Sequence, residues 1–60
     1  MFHILVVEDD QALNKLICRV LAKNGYETAA AFDGEEALAI LDNTYIDLII
    51  TDIMMPRLDG

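Results

Sequence analysis

Asp47-Leu48-Ile49-Ile50-Thr51-Asp52-Ile53-Met54-Met55-Pro56-Arg57-Leu58-Asp59-Gly60 is the stretch whose reading decides the fold. Leu48 to Thr51 is an apolar, β-branched run too short for an ordinary helix, and it reads as a strand covered on both faces. Asp52 stands where that strand runs out, and Pro56 with Asp59-Gly60 marks the turn beyond it. An acid at the carboxyl end of a covered strand lies in the crevice where open α/β sheets bind ligands. The chain repeats the pattern near its start, where Ile4-Leu5-Val6-Val7 runs straight into Glu8-Asp9-Asp10. If the two strands are parallel neighbours, their acidic ends converge.

Between these strands the chain spells two helices and one more strand. Phe2 to Val7 reads as the first strand. Asp10 is placed to cap a helix from Gln11, whose Leu13, Leu16, Ile17, Val20 and Leu21 form one apolar stripe. Lys23 suits the negative end of that helix, and Asn24-Gly25 supplies a left-handed stop. Tyr26 to Ala31 reads as a second, edge strand, its alanines leaving room for a close-packed helix. Asp33 caps the second helix with Glu36 placed to reach back to it, and Ala37, Leu38 and Leu41 form its inner face. Asp42-Asn43-Thr44 ends it, and Tyr45-Ile46 leads into the third strand. This β-α-β-α-β alternation predicts a parallel sheet with helices on both faces and right-handed crossovers. No repeat, low-complexity tract or internal boundary interrupts residues 1–60, which form a single unit.

Composition narrows the function. The 60 residues are 55% hydrophobic, which excludes a disordered chain. Eleven acids against four bases leave a net charge of −7, a balance that repels nucleic acid. Lys15, Arg19 and Lys23 fall at four-residue intervals, a solvated helical stripe with partner docking as the second reading. Met1-Phe2-His3 carries no basic leader, and no apolar run approaches a membrane span. The single Cys18 permits no internal disulfide and fits a reducing compartment, so a cytoplasmic location is expected. His3 has no second histidine with which to share a metal and reads as a residue at the amino edge of the sheet.

Taken singly, Asp52 is an ordinary turn acid and Glu8-Asp9-Asp10 an ordinary capping cluster. Taken together, Glu8, Asp9 and Asp52 at neighbouring strand ends would repel one another unless a cation stood between them. Mg²⁺ suits carboxylates, a carbonyl and retained waters, and leaves positions for phosphate oxygens. Carboxylates also serve as nucleophiles toward phosphoryl groups. A phosphohydrolase with an aspartate nucleophile is a competing class, but its Asp-x-Asp pattern fails at Asp52-Ile53-Met54. Dinucleotide binding lacks its glycine signature after the first strand.

With these residues in view, the whole chain resembles the first half of a response-regulator receiver domain, the phosphoacceptor module of two-component signalling. Ile4 to Asp10, Asp33-Gly34-Glu35-Glu36-Ala37-Leu38 and Asp47 to Gly60 carry the likeness. The resemblance implies a flavodoxin-like half-domain with strand order 2-1-3, an order taken from the family and not read from the residues. It implies that Asp52 is the phosphorylated aspartate, and that Glu8 and Asp9 hold Mg²⁺, Asp9 directly and Glu8 through water. Asp52 and the main-chain carbonyl of Met54 complete the implied metal ligands, with Met55-Pro56 and Gly60 shaping the loop. The implied partner is a histidine kinase, and the chain is an acceptor, not an enzyme. A complete receiver is about twice as long, within the usual range of domain sizes. Its later strands carry a hydroxyl residue and a lysine that contact the phosphoryl group. This sequence has neither in a comparable place, so signalling by these 60 residues alone is not expected. A bare third strand is instead expected to pair with a second copy, in a homodimer of order 2-1-3-3′-1′-2′ or one with swapped elements. The alternative function is then a self-associating scaffold that keeps an acidic metal pocket.

Overall fold

The structure is a computed structural model that describes residues 1–51. Five elements follow in order: β1 (His3–Val7), α1 (Gln11–Lys23), β2 (Glu27–Ala31), α2 (Gly34–Asn43) and β3 (Leu48–Thr51). The strands form one parallel sheet in the order β2-β1-β3. Register is set with Leu5 opposite Ala29 on one side and Ile49 on the other, and Val7 opposite Ala31 and Thr51. The α/β half-domain read from the sequence is therefore present, with β1 central.

Burial follows from that position. A central strand has neighbours on both edges and helices on both faces, and Ile4, Leu5 and Val6 are buried. Because side chains alternate along a strand, Leu5 and Val7 share a face with Ala29 and Ala31. On that face Leu5, Ala31 and Ala37 form a core, joined by Ile40 of α2 and Ile46. On the opposite face, Val6 lines a hollow together with Leu13 and Ile17 of α1.

Local chemistry sets the helix limits. The Asp10 carboxylate accepts the Leu13 amide at 3.1 Å and opens α1. At the other end Gly25, at φ +92°, lets its own amide reach Ala22 O and the Tyr26 amide reach Leu21 O, at 3.0 and 3.2 Å. This is a Schellman stop, and it needs a residue at ease in the left-handed region. Asp33 accepts the Glu36 amide at 2.8 Å, but Glu36 returns its carboxylate to the amide of Phe32, not of Asp33. The expected reciprocal cap is thus displaced by one residue. The first two strands begin one residue later than read, and the rings of Phe2 and Tyr26 meet edge to face at 5.8 Å just ahead of them.

Three expectations about packing need correction. On α1 the buried side runs through Asn14, Ile17, Cys18 and Leu21, while Leu13, Leu16 and Val20 are exposed. The cause is the seat of the helix: α1 packs over β2 and β1 and stops short of β3. On α2, Leu38 is 65% exposed, and Ile40 takes the inward position beside Ala37. Leu48 to Thr51, read as covered on both faces, has neither helix upon it, and Leu48 and Ile49 are about half exposed.

Candidate functional site

The carboxyl end of β1 is where the polar groups gather. Glu8 is only 8% exposed, an unusual state for a carboxylate. Its position is fixed at several points. The Glu8 amide donates to Ala31 O at 3.0 Å, carrying the β1–β2 pairing one residue past the strand. Its carboxylate Oε2 accepts the Asp10 amide at 3.0 Å. Asp9, between them, is exposed to solvent. The acids at this end thus divide by role: Glu8 is turned inward and held, Asp9 faces outward, and Asp10 caps α1.

β3 approaches the same place. Its last residue, Thr51, pairs with Val7, the residue before Glu8. Val6, Val7, Glu8, Leu13, Ile17, Ile50 and Thr51 line a hollow of about 150 Å³ between α1 and the β1–β3 pair. Among the described residues, Glu8 is the one acid in its walls. Asp52 follows Thr51 directly in sequence, but Asp52 and Met54, with the loop residues Met55, Pro56 and Gly60, lie outside the described residues. Among the described residues no three His, Cys, Asp or Glu side chains cluster as metal ligands would. The donors that Glu8 and Asp9 do supply are carboxylate oxygens, with no imidazole or thiolate beside them, and that set suits a hard divalent cation.

At the far end of the sheet, β3 is tied to β1 by a different acid. The His3 amide donates to Asp47 Oδ2 at 2.8 Å, and the Asp47 amide returns a bond to His3 O at 2.8 Å. His3 and Asp47 therefore serve the sheet's amino edge, opposite the acidic end.

A family profile for the response regulator receiver domain matches residues 4–60. The chain belongs to that family. Among curated relatives of this receiver chain, the Response regulator MprA of Mycobacterium sp. (strain KMS) is 49% identical over 58 residues, covering 97% of the chain and 25% of the relative. The Probable transcriptional regulator ycf27 of Cyanidium caldarium is 47% identical, covering 97% of the chain and 23% of that protein. The Response regulator MprA of Mycobacterium avium (strain 104) is 47% identical, over the same shares as the first. The receiver chain thus spans about a quarter of the length of the curated relatives it matches. No solved structure gives a significant match.

One residue of the receiver's acidic end escaped the sequence reading. Asn14 is fully buried, and its side-chain nitrogen lies within 3.4 Å of the carbonyl oxygens of Val6, Glu8 and Ala31. The available signal was its spacing, since Asn14, Ile17, Cys18 and Leu21 recur as an inward face should. An apolar stripe drawn through the leucines hid it.

Proposed function

We propose that this chain is a two-component phosphoacceptor in which Asp52 receives a phosphoryl group from a histidine kinase or a small phosphodonor. A carboxylate oxygen of Asp52 attacks phosphorus as the donor's bond to phosphorus breaks, and the departing group takes up a proton. Glu8, Asp9, Asp52 and the Met54 carbonyl are the proposed Mg²⁺ ligands. When bound, the ion neutralises charge gathered between carboxylates and phosphoryl oxygens. Glu8 is held inward by the Asp10 amide, while Asp9 keeps an open approach for the cation. The observation that supports this reading best is the Val7–Thr51 pair, which sets the two strand ends level one residue before Glu8 and Asp52.

The acceptor takes up one group and is not a turnover enzyme. A cytoplasmic location accords with the single unpaired Cys18, and no helix among the described residues is long and apolar enough to cross a membrane. The net charge of −7 opposes direct contact with nucleic acid by these residues.

The test is incubation with Mg²⁺ and a small acyl phosphate, followed by intact mass. A single phosphoryl adduct that is absent from Asp52→Ala and lost on metal chelation is the expected outcome. An adduct that persists in Asp52→Ala removes the assignment. The second reading, a self-associating scaffold without phosphorylation, draws on the exposed Leu48 and Ile49 of β3 and its unpaired outer edge among the described residues. No adduct from a chain that nevertheless dimerises would favour it.

A further inference from the structure

The buried amide of Asn14 is more than a packing residue. A primary amide has two N–H groups, and here the nitrogen lies 3.0 Å from Ala31 O, 3.1 Å from Glu8 O and 3.4 Å from Val6 O. The two shorter contacts take one hydrogen each, and the Val6 oxygen shares what remains. The amide's orientation follows from the chemistry: three carbonyl oxygens face one atom, which must be the donor nitrogen. The amide oxygen points the other way and accepts the Cys18 thiol at 3.4 Å.

These acceptors differ in what else serves them. Ala31 O also receives the Glu8 amide, whereas Asn14 is the donor found for Glu8 O among the described residues. The Glu8 peptide is therefore clamped at both ends, its N–H by β2 and its C=O by α1. That clamp acts on the backbone of Glu8, the residue that carries one carboxylate and immediately precedes Asp9. A rigid backbone here fixes where both acidic side chains start.

We infer that Asn14 is a positioning residue for the acidic pair, locking the Glu8–Asp9 peptide so that the two carboxylates are set for a divalent cation before it arrives. The inference rests on the reading of Glu8 and Asp9 as cation ligands. Groups that hold metal ligands from behind typically change metal affinity by about 10–100-fold when removed.

The test compares the wild-type chain with Asn14→Leu, which keeps the volume and loses the donors, and with Asn14→Gln, which restores an amide. Ile40→Ala is the control, since it weakens the core on the opposite face of the sheet and removes no hydrogen bond of the clamp. Mn²⁺ is the probe, followed by its paramagnetic effect on water relaxation, and all variants are measured where circular dichroism shows them folded. Asn14→Leu is expected to weaken Mn²⁺ binding at least tenfold, Asn14→Gln less, and Ile40→Ala less than twofold. In the metal-free chain, hydrogen exchange at the Asp10 amide is expected to quicken about tenfold in Asn14→Leu, well beyond any change at Leu5. Unchanged affinity and exchange in Asn14→Leu, or an equal loss in Ile40→Ala, overturns the inference. If the wild-type chain takes no Mn²⁺, the cation reading fails, and the exchange result alone decides whether Asn14 holds the loop. Should Asn14→Leu not fold, Asn14→Ser carries the same comparison, because its hydroxyl donates to one carbonyl only.

Discussion

Asp10 does two jobs through different atoms, and that separation makes it informative. Its carboxylate caps α1 through the Leu13 amide, while its own amide holds the Glu8 carboxylate. Asp10→Ala removes only the first, so a loss of about 1 kcal/mol in urea unfolding is expected. Cation affinity should stay within twofold of wild type, because alanine keeps the amide that Glu8 uses. Gly25 is the complementary case. Nothing lies within 4 Å of where a Cβ would stand, so the cost of Gly25→Ala is purely that of its backbone at φ +92°. About 1–2 kcal/mol is expected for forcing an L-residue there. Gly25→Asn should lose less, and equal losses for the two would show that the left-handed turn is not what limits the position.

At the scale of elements, α2 separates pattern from packing. Leu38 is largely exposed although hydrophobic spacing places it inward, and Ile40 packs against Leu5, Ala31 and Ala37. Leu38→Lys should change stability by no more than about 0.5 kcal/mol, as exposed substitutions usually do. Ile40→Ala should cost about 2 kcal/mol or more, from lost burial and the space left behind. Chemical denaturation of the two variants side by side reads the difference, and the reverse order would place Leu38 in the core. The amino end of β3 offers a second comparison. Asp47 exchanges two hydrogen bonds with His3, and Asp47→Ala removes only the one its carboxylate accepts, so faster exchange is expected at the His3 amide, with the bond from the amide of residue 47 to His3 O kept and α1 unchanged.

At the scale of the fold, the described residues are packed unevenly. Both helices lie over β1 and β2, and among the described residues β3 presents Leu48, Ile49 and an unpaired outer edge. An uncovered strand leaves apolar surface in water and backbone groups ready to pair with another strand. Pairing of two β3 edges in an antiparallel dimer would recover part of it. Sedimentation at micromolar concentration is expected to show a dimer, and Ile49→Lys to shift it to monomer. A folded wild-type monomer under those conditions would exclude the pairing.

Elements, caps and the family were legible in the sequence because they depend on neighbours along the chain. Asp10, Asp33 and Asn24-Gly25 act within a few residues, and short apolar runs mark the strands. The order β2-β1-β3 needed the family likeness, since nothing local dictates which strands pair. Which flank of each helix turns inward was decided only by tertiary structure. A helix with apolar residues on more than one flank has several faces to bury, and the seat of its neighbours selects among them. Asn14 shows the physical reason: a polar side chain is costly inside the protein until three carbonyls from β1, its loop and β2 are brought around it, and only the folded chain brings them there.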